Sequence, residues 1–122
     1  MIAKIQLAIS FVHANLHRTV TVAEIAQSVE LSPSRLSCLF KTQVGASTFQ
    51  YLKRARLKRA RELLETSFLS VKEIAAKVGY NDPTHLMREF KKSYGATPSQ
   101  YRAEYVARAG NDRSSQIGSR IG

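Results

Sequence analysis

Two histidines four residues apart, His13 and His17, a single thiol at Cys38, and a run of cations at Lys53, Arg54, Arg56, Lys58, Arg59 and Arg61 are where this sequence could do chemistry. The histidine spacing suits a metal ion held on one helix face. Ala14 stands where a zinc-protease motif needs a glutamate, so the pair reads as two surface histidines, and no metal or other cofactor is assigned. Cys38, close to Arg35 and Lys41, admits a redox reading, and a plainer one as a small side chain on an exposed face. A lone cysteine excludes an intrachain disulfide and a multi-cysteine zinc site, as suits a reducing compartment. Without a glycine-rich phosphate loop, a nucleophile elbow or paired carboxylates, the chain reads as a non-enzyme.

The cation run contains no acid between Tyr51 and Glu62, which makes it either a solvated face or a surface for a polyanion. With 19 Lys and Arg against 9 Asp and Glu, the net charge of +10 favours nucleic acid or acidic lipid as partner. Apolar runs such as Leu7-Ala8-Ile9 fall far short of the roughly 20 residues that cross a bilayer, and the start has no basic-then-apolar signal pattern. The expectation is a soluble cytoplasmic protein with no membrane role.

Whatever these side chains do, a repeated framework must position them. Val22-Ala23-Glu24-Ile25-Ala26 returns as Val71-Lys72-Glu73-Ile74-Ala75, and Val29 returns as Val78, at an offset of 49. After one extra residue the offset becomes 50, and Leu36, Phe40, Lys41, Gly45, Ala46, Gln50 and Tyr51 meet Leu86, Phe90, Lys91, Gly95, Ala96, Gln100 and Tyr101. Two copies of one unit are therefore encoded.

Each copy is punctuated as helix, turn, helix. Thr21 with Glu24, and Ser70 with Glu73, have the spacing of capping boxes that open short helices. Ser32-Pro33 and Asp82-Pro83 place an N-cap before a proline that needs no N–H in a first turn, and so open the second helices. Gly45 and Gly95 suit left-handed helix ends, and Gly79 lies in the turn of the second copy. Residues 2 to 17, with Ile2, Ile5, Ile9, Val12 and Leu16 on one stripe, predict a support helix. Residues 47 to 65 predict a rigid connector, opened by Ser47 and Gln50 and carrying Phe49, Leu52, Leu57, Ala60, Leu63 and Leu64. A last helix is predicted from Pro98 to Ala107 after the Thr97 and Gln100 box. The domain reading is 1–45 for the first helix-turn-helix subdomain, 46–66 for the connector, 67–107 for the second subdomain, and 108–122 as a disordered tail.

Leu31-Ser32-Pro33-Ser34-Arg35-Leu36, Phe40-Lys41 before Gly45, Arg56-Leu57 with Ala60, Leu63 and Leu64, Val78-Gly79-Tyr80, and Phe90-Lys91-Lys92 before Gly95-Ala96-Thr97-Pro98-Ser99 carry a resemblance. Over roughly residues 5 to 105 the chain resembles the DNA-binding domain of AraC/XylS-type transcriptional regulators. The resemblance implies an all-α, homeodomain-like domain of seven helices, in which two helix-turn-helix subdomains are joined by a long connector. It further implies that the third and sixth helices enter successive major-groove segments, that transcription is activated or repressed, and that Arg56 is structural. The sequence departs from the family at Leu86 and Met87, where an aromatic and a small hydroxyl residue are frequent.

Advancing about 100° per residue along the first reading helix turns Leu36, Leu39, Phe40 and Val44 inward. Ser34, Arg35, Ser37 and Cys38 become candidates for base reading, with Lys41 and Thr42 for phosphate. In the second copy the base candidates are Thr84, His85, Met87 and Arg88, and the phosphate candidates are Lys91 and Lys92. Arg35 and Arg88 are the strongest, because a planar fork matches guanine O6 and N7. Glu89 flanks this surface, placed either to repel phosphate or to accept from a cytosine amino group. The connector adds Arg54, Lys58 and Arg61 as phosphate candidates. The expected partners are double-stranded DNA, bound by one monomer, and RNA polymerase. The alternatives are a DNA-binding fragment of a larger effector-sensing regulator, or a basic helical module for membrane or protein partners.

Overall fold

Seven helices and no strand are present among the described residues of the computed structural model, 2–18 and 20–121, with side chains described for 3–18 and 20–110. They are α1 (Ile2–Ala14), α2 (Val22–Ser28), α3 (Pro33–Val44), α4 (Thr48–Thr66), α5 (Val71–Lys77), α6 (Pro83–Tyr94) and α7 (Pro98–Ile121). Helices α2 and α5 have only two turns each, too few to persist alone, so caps and packing must hold them.

The caps are those the hydroxyls and amides dictate. Ser47, Ser70 and Thr97 accept from the N–H three residues on, and Gln50, Glu73 and Gln100 return a bond to the cap N–H. The box expected at Thr21 closes on one side. Thr21 Oγ1 accepts from the Glu24 N–H at 3.1 Å, but the Glu24 carboxylate takes the Arg18 guanidinium at 2.7 Å. A charge-assisted bond outcompetes one to a neutral amide. Ser32 and Asp82 cap α3 and α6 ahead of Pro33 and Pro83, and Gly45 and Gly95 end them in the left-handed region at φ of 86° and 79°.

Burial divides the molecule into two cores. The first gathers Ile5, Ala8, Val12, Leu16, Ile25, Leu36 and Phe40, and the second gathers Ile74, Ala75, Val78, Leu86 and Phe90. Helix α4 belongs to both: Leu52 and Ala55 enter the first core, while Leu57, Ala60, Leu63 and Leu64 enter the second. The repeat is carried into packing as well. Phe40 meets Tyr51 edge to face at 5.3 Å, and Phe90 meets Tyr101 likewise at 5.7 Å, so α7 is to the second unit what α4 is to the first.

Three boundaries or faces differ from those the sequence predicts. Helix α1 ends at Ala14 rather than residue 17, since the Asn15 amide donates to the Phe11 carbonyl at 2.8 Å and Arg18 Nε donates to Asn15 Oδ1 at 3.0 Å, drawing the chain into a turn. Ile5, Val12 and Leu16 line the core as expected, and the side chain of Ile2 lies outside the described residues. Phe49 is 72% exposed, because Thr48 takes the inward position on the first turn of α4. The backbone of α7 continues to Ile121, past the predicted end at Ala107. No proline follows Pro98, and single glycines cost a nucleated helix only about 1 kcal/mol each. The tail predicted from 108 falls, from 111 on, on residues whose side chains are outside the described set.

The end of α4 is stopped by polar chemistry. Ser67 is extended and its Oγ donates to the Leu63 carbonyl at 2.6 Å. From α7, the Arg102 guanidinium donates to the carbonyls of Leu64, Ser67 and Leu69 at 3.2, 3.3 and 2.6 Å. One side chain thus satisfies three acceptors that the helix end and its loop leave open.

Candidate nucleic-acid interface

Leu36 and Phe40 on α3, and Leu86 and Phe90 on α6, are fully buried, which fixes the rotation of both helices. The opposite faces are then exposed as the periodicity requires. On α3 these are Ser34, Arg35, Ser37, Cys38, Lys41 and Thr42, and on α6 Thr84, His85, Met87, Arg88, Lys91 and Lys92. Leu86 is wholly in the core, so the departure at that position changes packing, while Met87, 40% exposed, lies on the outer surface.

Several of these side chains have partners within the protein. Thr42 Oγ1 donates to the Cys38 carbonyl at 2.8 Å. His85 packs edge-on against Tyr80 at 5.1 Å and lies 3.7 Å from Glu89. Arg35, Arg88, Lys41 and Lys91 have no ion pair among the described residues, which leaves their donors available to an outside acceptor. The two outer faces differ: α3 carries two serines, an arginine and a thiol, and α6 carries a threonine, an imidazole, a thioether and an arginine.

The connector cations separate into groups that their spacing did not reveal. Arg54 and Lys58 are exposed on α4. Arg61 is half-buried, with its guanidinium 5.3 Å from the centroid of the Tyr94 ring, a cation–π contact that ties α4 to α6. Lys53 pairs with Glu89 at 2.7 Å. Glu89 therefore turns one oxygen towards the connector, where Lys53 offsets its charge, and the other towards His85. The bond from Lys53, against a smaller opposing desolvation, holds its carboxyl below the ordinary range. Arg56, half-buried, donates to the Arg18 carbonyl at 2.9 Å, the structural place expected of it. Burial lowers its pKa and raises that of the neighbouring Tyr80. Sequence reasoning missed the Lys53–Glu89 pair, because residues 36 apart carry no periodic signal.

The histidine pair does not share a helix face, since His17 lies past the end of α1, and His13 Nε2 is 2.9 Å from the Tyr51 hydroxyl. No group of three or more His, Cys, Asp and Glu gathers among the described residues, and none of their helices is long and apolar enough to cross a membrane.

Against known proteins, a family described as a helix-turn-helix domain matches residues 12–104. The arabinose operon regulatory protein of Escherichia coli K12 is 42% identical over 82 residues, 67% of this chain and 28% of that protein. The lactose operon transcription activator of Staphylococcus xylosus is 34% identical over 101 residues, 83% of this chain and 36% of its own. The chain thus spans about a third of the length of these curated relatives. Among solved structures, the DNA-binding domain of the global transcriptional factor AdpA, in complex with a target DNA, superposes with a TM-score of 0.82 at 31% identity, covering 85% of this chain and 94% of that one. An AraC-type regulator from Chromobacterium violaceum gives 0.79 at 29% identity, covering 84% and 92%. Family match, relatives and fold agree, and the chain belongs to the AraC/XylS-type helix-turn-helix family.

Proposed function

We propose that this chain binds double-stranded DNA sequence-specifically and regulates transcription, without catalysis, by placing α3 and α6 in two neighbouring stretches of major groove. The observation that carries this is the pair of outward faces on the second helices of two helix-turn-helix units, polar and cationic, each backed by a rigid core. Arg35 and Arg88 supply forks for guanine; Ser34, Ser37, Cys38, Thr84, His85 and Met87 supply shorter base contacts. Lys41, Thr42, Lys91, Lys92, Arg54, Lys58 and Arg61 hold phosphate, Arg61 from beside the Tyr94 ring. Kinship to a lactose operon activator, and to a domain solved on its target DNA, supports the reading. So does the excess of positive charge.

In this reading a monomer binds one asymmetric site in the bacterial cytoplasm, and activation proceeds through contact with RNA polymerase. The share of its relatives' length that the chain spans favours a DNA-binding part of a larger effector-sensing regulator. Selection from random duplexes tests the core claim: it should return an asymmetric motif of two unlike blocks spanning about 16 to 20 base pairs. Recovery of no motif, with equal binding to DNA and to anionic vesicles at physiological salt, would replace it with a basic interaction module.

A further inference from the structure

The repeat supplies an internal control at the turn between the paired helices. Glu30 and Gly79 occupy the same place in the two copies, and both adopt the left-handed backbone, at φ of 59° and 86°. The first copy shows that this turn can carry a side chain, at some backbone strain. At Gly79 the surroundings add a second demand for glycine. A Cβ on Gly79 would lie 2.3 Å from the Leu16 carbonyl oxygen and 2.9 Å from Arg56 Nε.

Three parts of the molecule meet at that point. Leu16 and Arg18 belong to the α1–α2 connection of the first lobe, Arg56 to the middle of α4, and Gly79 to the α5–α6 turn of the second lobe. Arg56 sits at the change-over between cores, with Ala55 packed in the first and Leu57 in the second, and its guanidinium bonds the Arg18 carbonyl. A second tie spans the same joint, since Lys53, one turn before Leu57, grips Glu89 on α6.

We infer that Gly79, Arg56 and the Leu16 and Arg18 carbonyls form a latch between the lobes, which sets the angle of α6 relative to α3 and thereby the single half-site spacing this protein accepts. These are positioning residues; none needs to touch DNA. The inference rests on the two-block reading proposed above. One inserted base pair moves the second block by about 3.4 Å and turns it by about 35°, enough to take base-reading atoms out of reach of a fixed helix.

The test uses the two blocks recovered by selection, in duplexes with the selected spacing and with one base pair inserted or deleted. The wild-type chain should lose affinity about 10- to 100-fold at either altered spacing, the cost of about one good base contact. Gly79→Ala and Arg56→Met should bind the selected spacing more weakly and lose less than about threefold further on insertion or deletion, while keeping the base preference within each block. Uniform loss of charge at Arg56→Met cancels in this ratio, and thermal melting identifies a variant that has not folded. A wild-type chain indifferent to spacing overturns the latch, whatever becomes of the variants. So does a folded variant that retains the full wild-type penalty. Failure to select any motif is a different result, and strikes the two-block reading itself.

Discussion

In the proposed function, arginine and lysine on the same outer face of α6 have different work to do. Arg88 is exposed and unpaired among the described residues, one turn before Lys92 and beside the exposed Met87, while Lys91 lies in the last turn. Arg88→Ala should therefore relax preference at one position of the second block and cost about 1 to 3 kcal/mol there, whereas Lys91→Ala should weaken selected and scrambled duplexes alike. Titrating both variants on both duplexes separates the roles, and equal effects would mean that the reading face is misassigned. The outer faces were legible because burial of Leu36, Phe40, Leu86 and Phe90 follows directly from apolar periodicity. Glu89 was not, because its fate depends on Lys53 in a different helix. Thr21 and Glu24 teach the same lesson locally: their spacing is that of a box, and Arg18 changes the outcome.

Helices start at the hydroxyl and carboxylate caps, and α3, α4 and α6 stop close to where the sequence places their ends. The ends that differ are those of α1, drawn into a turn by Asn15, and of α7. Hidden from the sequence is how the end of α4 is satisfied, by Arg102 reaching from α7 to its carbonyls. The α4–α7 junction makes its own pH prediction. Tyr101 on α7 donates its hydroxyl to Glu65 on α4, and burial, then that bond and the carboxylate charge, push its pKa up to about 12. The unfolded tyrosine titrates near 10. Because the folded value is the higher, the neutral phenol favours the folded state fully below about pH 10, and that contribution is lost as pH rises towards about 12. Thermal melts across this range should fall more steeply for the wild-type chain than for Tyr101→Phe, which is less stable at neutral pH. Parallel curves would show that the phenol does not couple to folding.

At the scale of the whole molecule, charge sets how tightly any duplex is held and the cores set how rigidly it is met. If about 6 to 10 phosphates are neutralised, the logarithm of affinity should fall by about 0.9 for each contact per tenfold rise in salt. A shallow slope, from binding titrations at several salt concentrations, would put fewer cations on DNA than the exposed set of α3, α4 and α6 allows. The seven-helix architecture was legible because the sequence states the unit twice, and agreement between copies filters out chance patterns. What the repeat could not convey is how the copies are joined. That information lies in unrepeated contacts such as those of Gly79 and Arg56.

Helix α4, split between two hydrophobic cores at Arg56, also means that neither lobe is a portable cassette. A cut on either side of the connector would strip one lobe of the leucines that seal it, and a cut inside would leave each fragment with an apolar stub. Under the proposed function, changing what this chain recognises is therefore a matter of redecorating the outer faces of α3 and α6 in place, and transplanting one reading head into another protein would have to bring half of α4 with it.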